Sequence, residues 1–282
     1  MGHVRSRPMR RLLPTIAVAA VCLFGAPTAL ATTQTAHGGT VTATFTFEGK
    51  VPNFRGLHLT ISRAGAVVYN QPVVAKFCGK LCWPGPLVGR RSAVQVVDLE
   101  HTGDPDIVLN LYSGGAHCCT LVQIFSFDAA ANTYVKTERV FGDPDARIVN
   151  LRHDGRFEFL TADDAFAYRF TDYAASGLPI EILTYANGRF TDVTRSYPRL
   201  VAKDAAVWLK AFNGMARAGY PDSVGVIAAW AADEDLLGHS KLVTRYLAHQ
   251  ARAGHLNAPV GAGGAKFVAQ LQKFLRRRGY LR

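Results

Sequence analysis

Two stretches of this chain match each other without a gap, and that internal match narrows the folds open to it. Residues 96–108 align with residues 148–160, placing Gly103 and Gly155 at the same position, 52 residues apart. Each stretch reads as an apolar incoming strand, a polar loop with glycine at its sixth position, and an apolar outgoing strand. Three hairpins surround them. Residues 57–61 and 66–69 flank Arg63-Ala64-Gly65, and residues 122–127 and 134–137 flank a turn at 128–132. Residues 181–185 and 189–193 flank Asn187-Gly188, the strongest two-residue hairpin signal. Residues 41–47 alternate large and small side chains, as a half-buried strand does.

From Pro198 the period changes to that of helices. Val201, Ala205, Trp208, Phe212 and Met215 share one face, with Gly219 placed to stop the helix. Pro221 is placed to open a second helix, through Trp230 to Leu236. Leu242, Tyr246 and Leu247 mark a third, and Phe267, Val268, Leu271, Phe274 and Leu275 a fourth. The expected architecture is α+β: an open, partial-propeller-like antiparallel β-repeat domain over 32–197, then a helical domain of about four helices over 198–282. Charge divides at the same place. Residues 32–198 hold 15 basic and 16 acidic side chains, and residues 199–282 hold 13 and 5. Within the basic part, Lys266, Lys273, Arg276, Arg277 and Arg278 form a candidate anion-binding face for wall polymer, phospholipid headgroups or an acidic protein. The plainer reading is that the last-turn cations complement the helix dipole.

The first 31 residues have the three-part form of a secretory signal peptide: Arg5, Arg7, Arg10 and Arg11, an apolar run over 12–24, and small residues ending in Ala31. That run of 13 is short of the ~20 residues a spanning helix needs. No later stretch is as apolar, so no transmembrane segment is expected after the signal. Export makes nucleic acid an unsuitable partner. It also makes the four remaining cysteines, Cys78, Cys82, Cys118 and Cys119, read as two disulfides. Adjacent strand residues point to opposite faces, which favours Cys78–Cys82 with Cys118–Cys119 over two cross-links. A zinc site of these cysteines with His117 is the rival that oxidising surroundings disfavour.

The first polar loop has the chemistry of a calcium site. Asp98, Glu100, Thr102 and Asp106 present oxygens at positions one, three, five and nine, and the carbonyl of Asp104 is available at seven. An Asx-type turn explains the same acids without metal. In the second loop Arg152 stands at position three, where it is expected to pair with Asp154 and Glu158 in place of an ion. These residues resemble the acid-rich loops of FG-GAP and VCBS-type repeats in integrin-like β-propellers. The resemblance implies a loop joining the first two strands of a blade, with calcium as the cofactor. It covers about 100 residues, 94–193, and only the first loop keeps the ligand pattern. Two clear units and one degenerate unit are too few to close a ring.

Catalytic signals are sparse. Asp163-Asp164 reads as paired acid/base carboxylates or a solvated turn, His117 beside Cys118 as a nucleophile pair, and Asp233-Glu234-Asp235 as a solvated helix face. No G-x-S-x-G elbow, H-E-x-x-H or Walker loop occurs. The expected function is that of an exported, non-catalytic protein binding at or outside the cell envelope. The alternative is a secreted hydrolase with an Asp/Glu or Cys/His site in the β part. The cysteine reading is checked by thiol titration of the oxidised mature protein in denaturant. No free thiol is expected; two or more would contradict it.

Overall fold

The computed structural model describes residues 1–2, 31–85, 92–220, 222–258 and 261–281. All of the expected signal peptide except its first two residues and Ala31 lies outside this set, as does Pro221. The first sheet runs in chain order through β1 (Thr32–Gly38), β2 (Val41–Lys50), β3 (Asn53–Arg63) and β4 (Ala66–Pro72). The second contains β5 (Trp83–Pro84), β6 (Val94–Val97), β7 (Asp106–Gly115), β8 (Cys118–Asp128) and β9 (Thr133–Gly142), with β5 and β6 both pairing β7. The third is β10 (Arg147–Val149), β11 (Glu158–Ala162), β12 (Ile180–Ala186) and β13 (Arg189–Asp192), again in chain order. All these pairings are antiparallel. At the β12–β13 turn Asn187 and Gly188 have φ of 51° and 73°, the positive pair that a tight hairpin requires.

The second sheet lies between the other two. Ile107, Leu109, Leu121 and Phe125 pack with Phe45, Leu59 and Ile61 of the first sheet. Val108, Val122 and Ile124, on the opposite face, pack with Phe159, Leu183 and Tyr185 of the third. Burial on both faces explains why Ile107, Val108 and Leu109 of β7 are consecutive apolar residues rather than alternating ones. The internal match has a backbone counterpart. His101 and His153 have φ of 58° and 57°, and Gly103 and Gly155 have 86° and 89°. The last acid of each loop folds back on it: Asp106 accepts from Leu99 N–H at 3.4 Å, and Glu158 from Leu151 N–H at 3.0 Å.

The helical part consists of α1 (Pro198–Arg217), α2 (Val224–Leu236), α3 (Ser240–Arg252) and α4 (Gly264–Arg278). The fold is thus α+β with open sheets, helices following the strands. α2 is its centre, buried on every side from Val224 to Asp233. The acidic run is therefore not a solvated face: Asp233 is fully buried and Asp235 4% exposed. A β-carbon on Gly225 would sit 2.4 Å from the Ala175 carbonyl oxygen, so only glycine lets the 163–179 connection lie so close to α2.

Pro198 does begin α1, but packing does not divide at 198. Phe166 and Phe170, from the connection between β11 and β12, insert into the helical core against Phe274 at 4.9 and 5.4 Å between ring centres. Arg195 closes the same seam. Its guanidinium donates to the carbonyls of Leu236 at 2.8 Å, Gly279 at 3.0 Å and Tyr280 at 2.6 Å, joining the ends of α2 and α4 to the third sheet. Arginine's fork serves several acceptors in one plane where lysine's ammonium does not. Arg195→Lys should lower the unfolding free energy by about 2 kcal/mol in urea titrations. A loss below about 0.5 kcal/mol, the ordinary surface value, would show that the clamp is dispensable.

Candidate functional site

A polar cleft of about 370 Å³ opens at this seam, lined by Asp163, Glu181, Asp192, Arg195, Arg278 and Tyr280 among others. Asp163 follows β11 directly and is 5% exposed, which corrects the solvated-turn reading. It accepts from Arg278 at 2.8 and 2.9 Å, from the Tyr280 hydroxyl at 2.9 Å and from Ala165 N–H at 3.0 Å. Burial pushes the Tyr280 hydroxyl well above its ordinary value, so it stays a donor. Arg278, from the expected anion-binding face, is thereby paired with a buried acid although its own side chain stays 44% exposed. Asp164 turns elsewhere, accepting from Asp143 N–H at 3.1 Å. The two neighbouring acids thus serve different partners.

Glu181, which the sequence did not single out, has the perturbed chemistry in this cleft. Burial pushes its carboxyl up to about 7, against the opposing pull of Arg139, whose guanidinium lies 3.4 Å away. Such a group exchanges protons near neutrality. Its neighbours are committed, however, Asp163 to Arg278 and Tyr280, and Asp192 to the N–H and hydroxyl of Thr194.

The first polar loop does not gather its oxygens around one point. Asp98 accepts from Thr102 N–H at 2.9 Å and Gly103 N–H at 2.7 Å, as an Asx-type turn does. Glu100 reaches Asn187 N–H at 2.9 Å, Asp104 pairs with Arg63, and Asp106 is 5% exposed beneath the loop. Burial pushes the Asp106 carboxyl up to about 6. Among the described residues no three His, Cys, Asp or Glu side chains stand at metal-binding separation. The donors fit a hydrogen-bonded turn and do not fit a calcium cage. In the second loop Arg152 donates to the Tyr197 hydroxyl at 3.0 Å, and that hydroxyl donates to Glu158. The expected Arg152–Glu158 pairing thus runs through a tyrosine.

Cys78 is bonded to Cys82 and Cys118 to Cys119, the local pairing. His117 stacks on Tyr173 at 4.3 Å instead of meeting a thiol. A cysteine nucleophile is therefore excluded in the oxidised protein.

The cations of α4 divide by helical spacing. Lys266, Lys273 and Arg277, seven and four residues apart, follow one exposed face. Arg276 turns instead toward α3, where it lines a groove of about 590 Å³ with Lys241, Arg245, Thr244, Ser240 and Gln272. Lys241, Arg245 and Arg276 are exposed and make no ion pair among the described residues. The one acid lining this groove, Asp235, is 4% exposed. Lys241 and Arg245 were missed at the sequence level, although their four-residue spacing puts them on one face of α3.

No family model matches the chain, and no solved structure does. It is 25% identical over 166 residues to a probable thylakoid lumen protein of Synechocystis, covering 52% of this chain and 44% of that one. It is 24% identical over 212 residues to an uncharacterized protein of Sinorhizobium fredii, covering 70% of this chain and 33% of that one. The chain thus spans less than half the length of these two relatives. No helix among the described residues is long and apolar enough to cross a membrane.

Beneath the seam, Asp233 of α2 faces Asp204 of α1, which accepts from Ile180 N–H at 3.0 Å and Trp208 Nε1 at 2.8 Å. Burial, with the Asp204 charge, pushes Asp233 from the ordinary 3.8 up to about 10. The folded protein holds this proton while the unfolded chain releases it. Stability therefore falls as pH rises from about 4 to 10, by at most ~1.4 kcal/mol per unit. Asp233→Asn should keep the fold and lessen the decline in Tm between pH 5 and 9. Parallel Tm curves for the two proteins would contradict a proton retained on Asp233.

Proposed function

We propose that this chain is an exported, non-catalytic protein that docks on an anionic component of the cell envelope through the basic groove between α3 and α4. The observation that carries this reading is the groove itself: Lys241, Arg245 and Arg276 converge on one concavity whose one lining acid, Asp235, is 4% exposed and forms an ion pair with none of them among the described residues. Three like charges held together cost self-repulsion unless an anion joins them. The Lys266–Lys273–Arg277 face continues the positive field along α4. Extracytoplasmic placement is supported by the signal-like leader, by the two local disulfides and by the relative named a thylakoid lumen protein.

The hydrolase alternative has one observation in its favour, the Glu181 carboxyl near 7 in the seam cleft. It lacks a free second group, since Asp163 and Asp192 are both engaged.

Docking is tested by sedimentation with phosphatidylglycerol vesicles and with purified anionic wall polymer. Binding should weaken as the Debye length shortens from ~30 Å at 0.01 M salt to ~8 Å at 0.15 M. The triple variant Lys241→Gln, Arg245→Gln, Arg276→Gln should lose most of that binding, with stability changed by less than about 1 kcal/mol. Arg278→Gln should do the reverse, weakening the fold and leaving binding nearly intact. Undiminished binding by the triple variant would overturn the proposal.

A further inference from the structure

A second surface, on the opposite class of element, has an unusual chemistry. The connection after β4 is closed by the Cys78–Cys82 bridge and pinned at its base. Val73, Ala75 and Cys82 are buried in the core between the first two sheets. Gln123 Nε2 and Lys136 Nζ donate to the Val74 carbonyl at 3.0 and 2.6 Å, and Lys76 N–H donates to Glu138 at 2.9 Å. Inside the loop, Ala75 and Gly79 exchange both backbone hydrogen bonds, at 3.1 and 2.8 Å, and Leu81 N–H reaches the Cys78 carbonyl at 3.0 Å. The backbone is thus ordered in advance of any partner, and binding need not meet that entropy.

What this stiff loop presents is apolar. Phe77 is 55% exposed and Leu81 77% exposed, and Val74 beside them is 41% exposed. Lys76 and Lys80, next to them in sequence, are both exposed. A chain seeking only a closed loop has no use for a phenylalanine and a leucine in water, since scattered polar residues would serve. Apolar tips ringed by lysines have a specific physical match. Phenylalanine and leucine gain by entering the acyl boundary of a bilayer, while lysine stems reach back to the headgroups. The cations select an anionic surface, and they sit on a β part that otherwise carries no basic excess.

We infer that the 74–82 loop is an interfacial anchor, inserting Phe77 and Leu81 into the headgroup–acyl boundary of an anionic bilayer while Lys76 and Lys80 contact phosphates. This contact is separate from the α3–α4 groove, whose exposed cations Lys241, Arg245 and Arg276 lie on the helices. The test uses the full mature chain carrying Phe77→Trp, with Trp83, Trp208 and Trp230 subtracted through the parent spectrum. On phosphatidylglycerol vesicles the new tryptophan should shift to shorter wavelength and be quenched by lipids brominated on the acyl chain. Neither change should appear with phosphatidylcholine vesicles. The double variant Phe77→Ser, Leu81→Ser should bind phosphatidylglycerol vesicles at least fivefold more weakly at 0.15 M salt, with an unchanged unfolding midpoint. The groove variant should keep the tryptophan shift at saturating lipid, which separates failure of this anchor from failure of the groove. A tryptophan that stays in water on bound protein, or undiminished binding by the double variant, would overturn the anchor. Quenching only on adding a soluble envelope protein would instead assign the loop to a protein partner and overturn it equally.

Discussion

The ion pair between Asp163 and Arg278 joins the two halves of this molecule, and much of the rest is arranged around it. A carboxylate at 5% exposure is costly unless its oxygens are filled, and here Arg278, Tyr280 and one backbone N–H fill them. The acid comes from the end of a strand and its main donors from the last turn of the chain, 115 and 117 residues away. The third sheet cannot shift against α4 without leaving that charge alone. Arg195 repeats the logic with carbonyls, tying α2 and α4 together from the sheet side. The connection between β11 and β12 follows from the same seam, because Phe166 and Phe170 must enter the helical core for Asp163 to reach Arg278.

This seam also sorts the charges. Some cations meet acids, as Arg278 does with Asp163 and Arg139 with Glu181. Those left outward, on α3 and along α4, have no such partner among the described residues, and they define the groove. Long-range attraction by the groove and short-range insertion by an apolar loop are complementary. The first is strong at a distance and screened by salt, while the second acts only on contact and is indifferent to it.

Much of the fold was legible from the residues. Asn187-Gly188, Ala64-Gly65 and the helical stop at Gly219 announce their positions because each turn needs a backbone that few residues adopt. The internal match was legible for the same reason, since Gly103 and Gly155 share one left-handed conformation. Burial was not legible where local pattern and tertiary context disagree. Asp233 and Asp235 look solvated in sequence, yet α2 is the central helix and encloses them. β1 escaped notice because it is a polar edge strand whose pairing to β2 depends on its partner, not on its own alternation. The candidate site was half visible. Arg276 was named at once, whereas Lys241 and Arg245 belong with it only after α3 folds against α4. In the acid-rich loop the spacing suits calcium, whereas Asp106 accepts from Leu99 N–H and Asp104 from Arg63, contacts that spacing does not reveal.

The basic groove as the docking surface is tested most directly by covalent labelling of lysines on the protein bound to phosphatidylglycerol vesicles. Lys203 and Lys210, exposed on α1, serve as internal controls in the same sample. The predicted result is that Lys241 is shielded severalfold on binding while Lys203 and Lys210 react as they do in free protein. Equal labelling of all three on bound protein, or shielding of α1 with Lys241 left open, would contradict docking through the groove.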